Sequence, residues 1–184
     1  MGFHTFPIDR ADALEDPGRY RFCSREELLG ALALEEGAVV ADLGSGTGFY
    51  ADDVAPLAET LYAVDVQAEM HDRYREKGVP DPVEFVTAEL SSLPFEEDHL
   101  DGAFSVMTHH EYASEGTFAE LARVLRPGAP LVTVDWSADG TGEDGPPLEE
   151  RFGLEDARAH LEAAGFTVES ARNRPETFAV VARR

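Results

Sequence analysis

One cysteine, one lysine and one tryptophan occur in this chain of 184 residues. A single thiol, Cys23, excludes an intrachain disulfide and a zinc site built from several thiolates. Cys23 is therefore expected to be a small buried apolar side chain. No apolar run approaches the roughly 18 residues that span a bilayer. The opening MGFHTFPIDRADALED has neither the apolar centre of a secretory leader nor the Ser or Thr at position 6 that myristoylation requires. The expectation is a cytoplasmic protein with no membrane partner.

Basic charge is also scarce: 15 Lys and Arg stand against 37 Asp and Glu, a net charge of −22. Every basic residue except Lys77 is an arginine. Without a basic stripe to neutralise phosphates, a nucleic-acid partner is not expected. The acids are spread through the periodic segments, which excludes an acidic tail and leaves a face for a cationic partner or a halophilic, salt-adapted surface. The near-absence of lysine favours salt adaptation, because self-repulsion is tolerated where ions screen it. With 43% apolar residues, one domain over 1–184 is expected.

Residues 1–23 carry Phe3, Phe6, Tyr20 and Phe22 among prolines and charges without a period, and read as an irregular arm packed on the domain. SREELLGALAL reads as a helix opened by a capping box, Ser24 with Glu27. The chain then alternates. AVVADLG, TLYAVDV, VEFVTAEL, GAFSVMTH and PLVTVDW read as strands; GFYADDVAPLA, AEMHDRYREKG and TFAELARVL read as helices. After the loop SADGTGEDGPP come the helix LEDARAHLEAAG and two strands, FTVESA and TFAVVAR, joined by the short RNRPE. Alternation implies an α/β fold with a mostly parallel seven-stranded sheet and helices on both faces. The helix-free last connection implies one antiparallel strand near the C-terminus.

VVADLGSGTGFY fills the first strand-to-helix turn, where an open parallel sheet brings its backbone closest to a ligand. Its spacing is G-x-G-x-G, and Phe49 stands where the dinucleotide fingerprint G-x-G-x-x-G needs Gly or Ala. No Lys followed by Ser or Thr is present for a phosphate loop. Asp42, just ahead of Gly44, would repel a pyrophosphate and attract an ammonium or sulfonium. Asp65, at the end of the second strand, can accept both hydroxyls of a ribose. Glu89, at the end of the third, stands within reach of an exocyclic amine on adenine. These acids point to a cationic nucleoside without phosphate.

With these residues in view, the chain from about Ser24 onward resembles the class I S-adenosylmethionine-dependent methyltransferases, in particular the small ubiquinone/menaquinone-type branch. The resemblance rests on VVADLGSGTGFY, LYAVDVQAEM, VTAELSSLPF, FSVMTHHEY, FAELARVLRPG and VDWSADGTGEDGPPLEERF in that order. It implies a Rossmann-like three-layer sandwich and S-adenosylmethionine as cofactor. Gly44, Ser45, Gly46 and Gly48 would then run beneath the methionine part, with Asp42 near its amino group. Asp65 would hold the ribose, Val66 and Met70 would border the adenine, and Glu89 and Leu90 would contact its edge. Glu89 stands where the family often has Asp, and Ala129 where a second Gly is common.

Methyl transfer needs no nucleophilic side chain from the protein; it needs alignment, exclusion of water and, for some acceptors, removal of a proton. His110 and Glu111, at the end of the fourth strand, fall where the family places acceptors and are the catalytic candidates. The alternative is a packed or solvated histidine with Glu111 capping the next helix. HEYAS carries Ser114 where a zinc HExxH motif needs its second His, so no metal is expected. Trp136 either stacks on a flat acceptor or closes the core, and the loop 137–147 is either a lid or a solvated connector. The expected substrate is a small apolar or aromatic molecule. A nicotinamide-dependent oxidoreductase and a cofactor-binding protein without catalysis are the competing readings.

Overall fold

The computed structural model describes residues 5–184; Phe3, expected in the arm, lies outside them. Residues Ile8–Glu15 and Pro17–Arg21 form two short 3-10 helices in place of an irregular arm. Helix α1 spans Arg25–Leu32, with the Ser24 hydroxyl accepting the Glu27 N–H at 3.2 Å. The expected capping box is half formed, because the Glu27 carboxylate pairs with Arg174.

Strand β1 covers Val39–Leu43, and helix α2 only Ala51–Val54. Pro56 lacks the N–H that an α-helix would need, and a 3-10 turn follows at Ala55–Leu57. Then come β2 (Thr60–Asp65), α3 (Ala68–Lys77), β3 (Val83–Thr87), β4 (Gly102–Val106), α4 (His109–Tyr112) and α5 (Glu115–Val124). The chain ends with β5 (Pro130–Trp136), α6 (Leu154–Ala163), β6 (Thr167–Asn173) and β7 (Thr177–Arg183).

The sheet order is β3-β2-β1-β4-β5-β7-β6. Strands β3 to β5 pair in parallel, and β7 inserts antiparallel between β5 and β6, in register from Pro130 opposite Arg183 to Trp136 opposite Thr177. Alternate residues feed two cores. Ala41, Leu43, Leu131, Phe178 and Val180 face α5 and α6, whereas Val40, Val132 and Val134 face α1, α2 and α3. This is the expected three-layer sandwich, and each large apolar side chain so buried contributes about 2 kcal/mol.

Candidate active site

Beyond Leu43 the chain turns at once. The Gly44 and Ser45 amides both donate to the Val64 carbonyl at 2.9 Å, which fixes the glycine turn to the end of β2. Gly44 and Gly48 have φ of 78° and 82°, where a side chain would be strained. A Cβ on Gly44 would lie 2.3 Å from Thr108 Cγ2, and one on Gly48 would lie 2.0 Å from the Tyr74 ring. Bare backbone is thus demanded at these two positions by protein neighbours. At Gly46 the nearest neighbour is Leu14 of the N-terminal arm.

A cavity of about 690 Å³ opens over this turn. Gly44, Ser45, Gly46, Asp65, Val66, Met70, Glu89 and Leu90 line it, as do His110 and Glu111. Two expected positions are not among the lining residues. Gly48 backs onto Tyr74, and Asp42 lies under the turn, 3% exposed. Glu89 sits two residues past the end of β3, which stops at Thr87.

The Asp65 carboxylate accepts the Gly46 N–H at 2.8 Å and the Gln67 N–H at 2.9 Å. Burial raises its pKa, and these backbone bonds oppose the rise. Asp42 is more perturbed: burial pushes it up to about 8 against the opposing charge of Arg19. Its Oδ2 is buried without a hydrogen-bond partner, and so is the Ser45 hydroxyl. Orphaned buried oxygens of this kind are costly unless something supplies a donor.

The arm forms one wall, through Phe6, Arg10, Leu14, Arg19 and Phe22. It is fastened at several points. Glu15 bonds Thr47 and pairs with Lys77 at 3.1 Å; Lys77 also pairs with Asp52 at 2.8 Å. Arg19 donates to the Leu14 carbonyl at 2.7 Å and lies over the Phe49 and Tyr50 rings. Its second terminal nitrogen reaches Met107 Sδ at 3.9 Å, and Met107 itself has φ 64°, a strained value for a non-glycine residue beside a cavity. Tyr20 points away from the cavity onto Phe49 and Asp53, and Phe22 meets Trp136 edge-on.

At the other end, His109, His110 and Glu111 lie on the short helix α4 and not on a strand end, because the Met107 backbone breaks β4 at Val106. The two histidines separate. His109 is fully buried among Tyr112, Phe118, Phe152, Phe178 and His160, and burial lowers its pKa to about 4. His110 faces the cavity, and its Nδ1 lies 2.9 Å from Oδ2 of Asp135, a fully buried residue of β5. Asp135 was missed by sequence reasoning, although a carboxylate inside the apolar run PLVTVDW was a visible signal. Burial raises Glu111 to about 7.

Trp136 lines the cavity, with Gly145 packed against its ring. The loop after β5 is held by buried Arg151, which bonds the Pro146, Ser137 and Asp144 carbonyls and Glu176. Gly145, Pro146 and Glu150 thereby become part of the wall. Cys23 is buried, and burial raises its thiol to about 12. Among the described residues, no cluster of three His, Cys, Asp or Glu side chains is placed to hold a metal, and no helix is long and apolar enough to cross a membrane.

The sheet order, with its reversed β7, and the glycine turn define a Rossmann-like methyltransferase architecture. A methyltransferase-domain family matches residues 41–133. A solved structure of an S-adenosylmethionine-dependent methyltransferase from Aquifex aeolicus is 31% identical with a TM-score of 0.86, covering 96% of this chain and 98% of that one. The chain belongs to the S-adenosylmethionine-dependent methyltransferases, whose cofactor is S-adenosylmethionine. Among curated proteins, a ubiquinone/menaquinone biosynthesis C-methyltransferase from Ectopseudomonas mendocina is 35% identical over 114 residues, 55% of this chain and 43% of that protein. A sterol 24-C-methyltransferase from Pneumocystis carinii is 28% identical over 130 residues, 66% of this chain and 34% of that protein. The matched region spans only about a third to two fifths of these two relatives.

Proposed function

We propose that this chain, acting as one methyltransferase domain, moves a methyl group from S-adenosylmethionine to a small-molecule acceptor inside the 690 Å³ cavity. Asp65 carries the reading: two backbone N–H groups fix its carboxylate at the cavity wall, and its remaining lone pairs suit two adjacent ribose hydroxyls. The chain also fits the other end of the cofactor. The orphaned Ser45 hydroxyl suits an ammonium donor beside the turn, and Arg19 supplies a cation for a carboxylate. Val66, Met70 and Leu90 offer apolar contact to a flat base, and Glu89 an acceptor for its amine.

When bound, the cofactor supplies an electrophilic methyl group on a sulfonium. The residues of this chain do the rest. The arm and the Arg151-held loop wall the cavity from water, Phe22 and Trp136 offer flat apolar contact, and His110 with Glu111 stands where an acceptor would be oriented. We assign the dispersed acidic surface to salt adaptation and the protein to the cytoplasm, with no nucleic-acid or membrane partner.

Labelled S-adenosylmethionine incubated with the protein and fractionated small metabolites tests this reading. Label should pass to a low-mass acceptor. Tight binding of the cofactor with no transfer to any fraction would instead favour a binding protein without catalysis.

A further inference from the structure

Asp135 has no solvent contact, yet its carboxylate is spent on a single residue. Its Oδ2 accepts the His110 backbone N–H at 2.6 Å, and both of its oxygens lie within 3.0 Å of His110 Nδ1. A carboxylate only accepts, so Nδ1 must carry a proton, and in the neutral ring Nε2 then carries the lone pair. His110 lines the cavity, and its Nε2 lies 3.9 Å from Glu111 Oε1. The backbone bond prevents Asp135 from rotating away, so the tautomer is fixed by two contacts.

We infer that Asp135 is a positioning residue that holds His110 with its Nε2 lone pair toward the cavity, and that Nε2 receives the proton of a hydroxyl acceptor as that oxygen is methylated. The second half rests on the methyltransferase reading. The step balances: the acceptor oxygen forms its bond to the methyl carbon, the carbon–sulfur bond breaks with its electron pair on sulfur, and the hydroxyl proton moves to Nε2. Glu111 and Glu150 on the same wall disfavour an acceptor that is already anionic, such as a carboxylate or phosphate. They would also draw an ammonium to themselves and away from Nε2. Among oxygen acceptors, a neutral hydroxyl is left as the group that donates to Nε2.

The charged or titratable groups facing His110 are Asp135 from β5, Glu111 and His109 from its own helix, and Glu150 from the loop. Burial lowers the His110 pKa, but the Asp135 bond and the charges of Asp135, Glu111 and Glu150 outweigh it, leaving a net rise. The neutral ring that accepts a proton at Nε2 is therefore reached at higher pH than for an unperturbed histidine.

Long-range proton–nitrogen correlation NMR on protein labelled with 15N-histidine, recorded where His110 is neutral, tests the first half without cofactor. The wild type should show the Nδ1–H form. Asp135→Asn should show Nε2–H, because its oxygen takes the backbone N–H and its amide group then donates to Nδ1. Nε2–H in the wild type, or an unchanged tautomer in the variant, would overturn the inference. Should Asp135→Asn not fold, the wild-type spectrum and the turnover of His110→Gln decide. For the second half, Asp135→Asn should keep its affinity for S-adenosylhomocysteine and lose about 100-fold or more in turnover. The labelled product should be an O-methyl ether; an N- or S-methylated product, or no product from a wild type that binds S-adenosylhomocysteine, overturns it. Failure of the wild type to bind S-adenosylhomocysteine would sink the methyltransferase reading and leave the tautomer result standing.

Discussion

The Asp65 carboxylate accepts the Gly46 backbone N–H at 2.8 Å across the gap between the glycine turn and the end of β2. One side chain therefore shapes the turn and faces the cavity. Asp65→Ala removes the acceptor from two backbone donors, at a cost of about 1–3 kcal/mol for each that stays buried and unpaired. S-adenosylhomocysteine affinity should fall by about 100-fold or more, a loss that isothermal titration would measure; an unchanged affinity would remove Asp65 from the cofactor site.

Gly48 is a packing requirement. Alanine there must displace the Tyr74 ring, 2.0 Å from the new Cβ, and must hold φ 82°. Tyr74 is fully buried and donates to Asp52 at 2.6 Å, so it has little room to yield. Gly48→Ala should destabilise the fold by about 3 kcal/mol, read by chemical denaturation. A loss under about 1 kcal/mol would show that α3 shifts freely.

Lys77 joins the arm to α3 through Glu15 and to α2 through Asp52. Its partners Glu15 and Asp52 are 35% and 38% exposed, so the pairs add little global stability, about 1 kcal/mol or less. Lys77→Met should leave the thermal midpoint nearly unchanged and speed limited proteolysis within residues 5–22. Proteolysis at the wild-type rate would mean that the other arm contacts suffice.

Asp42 gives a pH signature. Its folded pKa, raised to about 8 by burial, exceeds the ordinary aspartate value of 3.8. The folded state thus binds the proton more tightly, and the stability this contributes is full below about pH 4 and lost as pH rises through 8. His109, lowered to about 4, acts oppositely, losing stability as pH falls from 6.5 toward 4. Comparing Asp42→Asn with the wild type cancels the His109 contribution. The variant's gain in thermal midpoint should be larger at pH 8.5 than at pH 5, and equal gains would contradict the buried-carboxyl account.

The alternation of periods made the sheet legible: β5 and β7 end where PLVTVDW and TFAVVAR end, and the missing helix between the last strands announced the reversed β7. The cavity wall was legible where residues concentrate in a short motif, as at Gly44, Ser45, Gly46 and Asp65, which line it. It was not legible where placement depends on distant partners. The arm takes its 3-10 form against Gly46, Thr47 and Lys77, and no local pattern in residues 8–21 encodes those contacts. The strained Met107 backbone, which turns the histidine pair onto a helix, leaves no trace in hydrophobic periodicity. Asp135 acquires its meaning only when β5 is laid beside α4.

The cavity over the glycine turn should take an adenosyl sulfonium ligand and not a dinucleotide. Calorimetric titration of the intact chain in concentrated KCl with S-adenosylmethionine, S-adenosylhomocysteine and NAD tests it most directly. Both adenosyl ligands should bind saturably at a single site, Asp65→Ala should lose that binding, and NAD should not bind. Binding of NAD without binding of either adenosyl ligand would contradict it.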